Sequence, residues 1–331
     1  MYQNVQNLLE ENVEDQPKWF NSPVKLHVGT ITELREFIPT FERRDFALTH
    51  PDSEFSRKNE RLDTIVRLPL GEDNNFIPVG IVSKNYTLVQ HRAVLDIVNK
   101  SISKMNIQFN ENIQAELKIT EYGERMSFSV FLPDQYSYKP LDGHTMALRL
   151  ICFNSVDGST HFRAIMSWFR LVCSNGLIIG VTRHDIRRRH LGEIQLNDIS
   201  DVLISGLNMA EVEKTNFVNW QNSGVTSKQL IRWVNKNLKE KWGFKAAARA
   251  YHIACSGYDA EVKGSYKGHT PATIKMNETI RVQGSPEECR NLFDMSQILA
   301  WLAKERRDIQ EQLAWQESIP DLMAALSNKQ N

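Results

Sequence analysis

Two long stretches in the middle of the chain alternate residue by residue. In the first, Met146, Leu148, Leu150 and Cys152 alternate with Ala147, Arg149, Ile151 and Phe153. In the second, Phe162, Ala164, Met166 and Trp168 alternate with His161, Arg163, Ile165, Ser167 and Phe169. Strand side chains point to opposite faces in turn, so each stretch predicts a strand with one wholly apolar face. Asp157-Gly158 lies in the polar break between them. Asp-Gly is a strong hairpin signal, because glycine takes positive φ without a Cβ clash. The opposite face of this 145–169 hairpin mixes arginine with phenylalanine and is the most informative feature of the sequence.

The same period recurs on either side. Ile113, Ala115, Leu117 and Ile119 alternate with Gln114, Glu116, Lys118 and Thr120, and Met126, Phe128 and Val130 return after the turn Glu121-Tyr122-Gly123-Glu124. Leu62–Leu70 and Phe76–Val82 read as a further strand pair across Gly71–Asn75. Between them Val94, Leu95, Ile97, Val98 and Ile102 have helical spacing. Beyond Leu196 the period changes to helical, with Ile199, Val202, Leu203 and Leu207 on one face. Thr226-Ser227-Lys228-Gln229 is a capping box, and Ser256-Gly257 closes an alanine-rich helix over 245–255. Ser285-Pro286 is expected to open the last helical region, whose stripe runs through Leu299, Leu302 and Leu313 until Pro320 interrupts it. The pattern predicts an α+β protein: a central antiparallel sheet (hairpins near 62–82, 113–132 and 145–169) with C-terminal helices packed on it. Residues 1–60 read as an acidic arm with short helices near Val5–Val13 and after Thr30, and with a loop over Phe41–Arg61. Residues 61–192 read as the sheet domain and 193–331 as a helical region. A basic loop or loose hairpin at 258–284 interrupts that region.

Composition narrows the classes. With 331 residues, 41% hydrophobic and 24% charged, the chain is an ordinary globular one. No apolar run reaches membrane-spanning length and the polar start is not a signal peptide, so a cytoplasmic protein is expected. The four cysteines are scattered without any CxxC, which predicts reduced thiols rather than a zinc site. Net charge is zero but unevenly spread. Residues 1–60 hold 7 basic and 11 acidic residues, 145–192 hold 7 and 2, and 226–284 hold 11 and 4. Such asymmetry suits an anionic partner or association between unlike faces of identical subunits.

Three segments resemble a known family: Val79-Gly80-Ile81-Val82-Ser83-Lys84-Asn85-Tyr86, the turn Asn154-Ser155-Val156-Asp157-Gly158-Ser159, and Arg170-Leu171-Val172-Cys173-Ser174-Asn175-Gly176-Leu177. They are similar to the phage/plasmid-like proteins that share a domain of unknown function, from about Leu62 to the C-terminal helices. The resemblance implies a mobile-element origin and a cytoplasmic setting, and brings no established activity. Many relatives carry histidine inside the second segment; this chain has Val156. The order hairpin, helix, antiparallel meander, helices also resembles single-strand-annealing recombinases at the level of fold alone.

The mixed face of the sheet is open to two readings. Exposed, Arg125, Arg149 and Arg163 neutralise phosphates while Phe153 and Phe169 stack on unpaired bases, a composition suited to single-stranded nucleic acid. Covered by helices, the same arginines pack their stems and pair with acids. Arg183, Arg187, Arg188 and Arg189 form the densest basic run, and Lys263 and Lys267 extend the basic surface in 258–284. Cys173, His161, His184 and His190 lack zinc spacing, and no Gly-rich phosphate loop is present. Asn154, Asp157 and Asn175 read as turn and capping residues. A non-enzyme without cofactor is expected: a single-stranded-DNA-binding protein of a mobile element, possible annealer and homo-oligomer. The alternative is an inhibitor that binds a host defence or restriction protein.

Overall fold

The computed structural model describes residues 18–47, 57–104, 114–171, 175–178, 186–188, 196–267 and 270–327, the side chains of 175–178, 186–188, 196–198, 265–267 and 270–274 excepted. In chain order the elements begin with β1 (Lys18–Trp19), β2 (Ser22–Thr30), α1 (Ile31–Leu34), β3 (Phe41–Ala47), β4 (Lys58–Arg67) and β5 (Ile77–Ser83). Next come α2 (His91–Lys104), β6 (Gln114–Thr120), β7 (Arg125–Phe131), β8 (Met146–Ser155), β9 (Phe162–Arg170), β10 (Asn175–Ile178) and β11 (Ile186–Arg188). The chain continues with α3 (Leu196–Asn222), α4 (Ser227–Trp233), a π-helical turn (Val234–Leu238) and α5 (Lys239–Ser256). It ends with β12 (Tyr258–Lys267), β13 (Thr270–Arg281), α6 (Leu292–Lys304) and α7 (Ile309–Ser327). The protein is α+β. Two compact units interleave along the sequence. One is built from Met1–Tyr136, Leu148–Ser167 and Arg183–Asn208, the other from Ser137–Ala147, Trp168–Thr182 and Met209–Asn331.

The main sheet runs β1-β2-β6-β7-β8-β9-β10, with β11 also on β9. Its register follows from the apolar period. Leu117 faces Phe128 and Phe128 faces Cys152; Ala115, Val130 and Leu150 form the next row. All six are fully buried, as are Leu148 and Met166 on the neighbouring stretches. A slip by one residue would turn this set to the other face, which fixes the pairing.

The N-terminal segment is a working part of the sheets rather than an arm. β2 pairs with β6 from Val24–Thr120 to Thr30–Gln114, and Trp19 is buried. Thr30 caps α1 through the expected capping box with Glu33. The stretch expected as a loop over 41–61 supplies β3 and the start of β4, and the 62–82 hairpin belongs to a separate three-stranded sheet, β3-β4-β5. Cross-strand ion pairing explains the difference: Lys58 meets Asp45 at 2.5 Å and Arg43 meets the buried Asp63 at 3.4 Å, so charged side chains here are paired within the sheet. The expected helix at Val5–Val13 lies outside the described residues.

In the other unit, Thr226 and Gln229 form the expected box at α4, and Gly257 closes α5 in the left-handed conformation. Two expectations fail. Residues 285–290 are not helical, because Asn291 caps α6 by accepting from Asp294 N. Pro320 does not end α7, which runs through it. The hydrophobic centre gathers Tyr138, Trp168, Phe217 and Phe293 with ring centroids 5.7–6.3 Å apart. Trp242 stacks on Trp315 at 4.3 Å, and Trp233 Nε1 donates to Leu322 O at 2.9 Å. α6 and α7 pack on each other and on β10. Arg170, fully buried, donates to the Asp142 carboxylate and to Gly284 O and lies over the Phe293 ring. No described helix is long and apolar enough to cross a membrane.

The register makes Phe128 the centre of the apolar row. Phe128→Ala should lower unfolding free energy by about 3–5 kcal/mol, read as a shift in urea midpoint. A loss below about 1 kcal/mol would mean that this row is not the core.

Candidate nucleic-acid interface

The second face of the main sheet is polar yet covered. Glu116 faces Ser129, Lys118 faces Ser127, Ser127 faces Phe153 and Phe131 faces Arg149. Arg149, Phe153, Arg163 and Phe169 are all at least nine-tenths buried. Phe153 meets Trp19 edge-on at 6.1 Å. Burial works to raise the Glu116 carboxyl, but the Lys118 ammonium at 2.7 Å and the Arg149 guanidinium outweigh it and hold it charged below its ordinary range. Arg149 is therefore electrostatically committed to a buried carboxylate. The rings of Phe153 and Phe169 offer no open face to a base. These four side chains are therefore buried rather than open to solvent.

Arg125 is committed as well. Its Nη2 meets Asp157 Oδ2 at 2.7 Å, Nε donates to Ser159 Oγ at 2.8 Å, and Nη1 donates to Trp19 O at 2.9 Å. Asp157 Oδ1 accepts from Ser159 N, the Asx-turn pattern expected of this residue. Asn154 Nδ2 donates to Val89 O at 3.0 Å and lies 2.8 Å from His91 Nδ1, while His91 Nε2 lies 2.9 Å from Gly123 O. These partners place the ring proton on Nε2, since Nδ1 must accept. Tyr86 hydroxyl donates to Ser155 O, and Val156 is buried with Phe41, Ile65, Val82 and Tyr86. The 79–86 and 154–159 segments therefore meet in one packed corner. Its polar side chains serve the backbone, and Val156 fills space where a histidine would need a partner.

The remaining sequence candidates divide in two. Arg187 and Arg188 lie in β11, opposite Arg163 and Phe162. Arg183 and Arg189 lie outside the described residues. Lys263 and Lys267 lie in a two-stranded antiparallel ribbon, β12–β13, with two register shifts, over the stretch expected as a loop or loose hairpin. In that ribbon Lys263 faces Lys275 directly, and Glu261 faces Asn277. Glu261, Lys263, Lys275 and Asn277 are exposed and share one face by register. Thr279 and Arg281 are exposed too, but a bulge separates them from that register and Arg281 pairs with Tyr258. Like charges directly opposite disfavour each other; Glu261, 2.9 Å from Lys263, offsets only one of the two. Lys275 and Arg281 were not singled out from the sequence. Period-two polarity in both 261–265 and 275–281 was the signal that would have found them.

The root of the ribbon is rigid. Asp259, buried, accepts from Arg249 Nε at 2.9 Å and Nη2 at 2.5 Å, from Trp301 Nε1 at 2.9 Å and from Ala260 N at 2.7 Å. Ala260 and Val262 are buried where α5 packs on β12. Burial pushes the Asp259 carboxyl up, but the Arg249 and Trp301 hydrogen bonds outweigh it and the net direction is down. A carboxyl lowered in the folded state adds stability that is complete above its unfolded pKa and is lost as pH falls through the folded value. Asp259→Asn should cost about 1.5–3 kcal/mol at neutral pH, the range for bonds to a charged group. Its denaturation midpoint should converge on that of the unaltered protein as pH falls below the ordinary aspartate range. A constant gap across the titration would refute the assignment.

Among the described residues no group of three or more His, Cys, Asp or Glu side chains is placed to hold a metal. No curated protein and no solved structure matches the chain. One family matches residues 78–280, more than half of the sequence, and the match takes in the ribbon together with all three segments singled out above. The chain therefore belongs to the family described as a domain of unknown function, DUF932.

Proposed function

We propose that this protein is a non-enzymatic DNA-binding protein of a phage or plasmid, holding single-stranded DNA by its phosphates and acting as a homo-oligomer. The observation that carries the reading is the polar face of the β12–β13 ribbon. Lys263 and Lys275 stand opposite each other, with Glu261 2.9 Å from Lys263, so a phosphate between them relieves a repulsion built into the fold. A two-stranded ribbon is also slender enough to lie along a nucleic-acid backbone or within a groove. Lys267 continues the basic strand toward the tip, and Arg183 and Arg187–Arg189 add cations elsewhere in the chain. Phe153 and Phe169 drop out as stacking residues because they are buried. This leaves a backbone-holding mode that is indifferent to base sequence. Annealing of complementary strands by an oligomer fits such a mode, since the bases stay free to pair.

A second reading rests on two exposed apolar residues of the ribbon, Met276 and Ile280. These apolar residues favour a protein partner, such as a host defence or restriction protein that this chain would block.

Salt separates the two. Each phosphate contact on a single strand contributes a slope of about −0.7 in log affinity against log salt. Lys263→Ala with Lys275→Ala should flatten the slope measured with a fluorescent oligonucleotide by about 1.4, and the triple alanine variant of Arg187, Arg188 and Arg189 by about 2. Light scattering with and without the oligonucleotide reports the oligomer. Unaltered protein that binds no oligonucleotide at low salt would remove the first reading and leave the second.

A further inference from the structure

We propose that Cys255 and Cys289 form a reversible disulfide that staples the root of the ribbon, made by exchange with a low-molecular-weight disulfide such as oxidised glutathione. The two cysteines bracket the ribbon. Cys255 lies in the last turn of α5, just before β12, and Cys289 lies in the turn after β13. Both are free thiols. Cys289 N donates to Ala254 O at 2.7 Å, so the two backbones run side by side at that point. Disulfides span Cα atoms about 4.4–6.8 Å apart, the spacing that such neighbouring backbones have.

The pair is chemically unequal. Cys255 is exposed and touches the Tyr251 hydroxyl. Cys289 is buried and its thiol is pushed up to about 12, by burial first, then by Asp294, with Cys255 itself and Glu288 as further contributors. That asymmetry sets the order of events. The Cys255 thiolate attacks one sulfur of oxidised glutathione, forming a mixed disulfide and releasing one glutathione thiolate. Cys289 then gives its proton to solvent and attacks the Cys255 sulfur, releasing the second glutathione. Two protein thiols are oxidised and one small disulfide is reduced to two thiols. The first step is open to solvent; the second is slow at neutral pH, because only thiolate attacks. Closure ties 255 to 289 in one covalent loop that contains the whole ribbon, and a closed loop limits the unfolded chain more than the folded one. The inference is independent of what the ribbon binds.

Incubating the full-length protein with oxidised glutathione should first give an adduct of one glutathionyl group on Cys255. The product should then be a single chain, not cross-linked to another, lighter than the reduced protein by two hydrogens. A non-reducing peptide map should show the 255-containing and 289-containing peptides joined, and dithiothreitol should separate them. Closure should run faster at about pH 9 than at pH 7, since more Cys289 is thiolate there. Cys255→Ser, at an exposed position, should give neither species. An adduct that stays on Cys255 without closing, cross-links only between chains, or no reaction at Cys255 would each overturn the proposal. The map of the unaltered protein decides the question without a Cys289 variant, whose buried position ties it to folding.

Discussion

The close approach of the 154–159 turn to β5 is the constraint on which the sheet-rich unit depends. A Cβ on Gly80 would sit 2.7 Å from Asp157 Cα and 2.8 Å from its Cβ, so only glycine admits the contact. Gly158, at positive φ, turns the chain there. Because the backbones touch, Tyr86 can reach Ser155 O, and Val82 and Val156 can share one cluster with Phe41 and Ile65. Asp157 then spends its carboxylate on Ser159 and Arg125, and Arg125 carries the connection on to Trp19 at the sheet edge. Two separate sheets and the N-terminal strands are held together by one tight turn. The residues of the 79–86 and 154–159 segments are thus explained by packing and backbone satisfaction.

The covered second face of the main sheet has a related logic. Burying Glu116, Arg149 and Arg163 costs solvation, and buried charges persist only when opposite charges and hydrogen bonds compensate. Glu116 with Lys118 and Arg149 is such a group. Its loss would expose the remaining charges to an apolar interior, so the face is selective about what occupies it. A purely apolar face of the same size would tolerate sliding and repacking more readily.

Much of the fold was legible because its signals are local. Leu117, Phe128, Leu150 and Met166 declare a buried face by period alone, Thr226 and Gln229 declare a helix start, and Gly257 a helix end. Arg149 and Phe153 could be assigned to a shared face but not to a covered one, because covering is a property of distant chain. Glu42-Arg43-Arg44-Asp45 reads as loop because the eye looks for apolar alternation, whereas β3 is held by ion pairs from β4. Pro286 carries a helix-start signal, but Asn291 supplies the side-chain cap, and a cap fixes a start more firmly than a ring that merely tolerates one. The ribbon hid behind glycine, lysine and threonine. Lys275 joins Lys263 only through a register that no window of neighbouring residues contains.

Val282 N donates to Gly257 O at 2.9 Å, so the ribbon leaves and rejoins the unit at one point. A segment whose ends already touch can change length, twist or charge without altering the path of the chain on either side. The ribbon is in this sense a cassette. Asp259, held by Arg249 and Trp301, belongs to the root, so a change beyond Ala260 leaves that root in place.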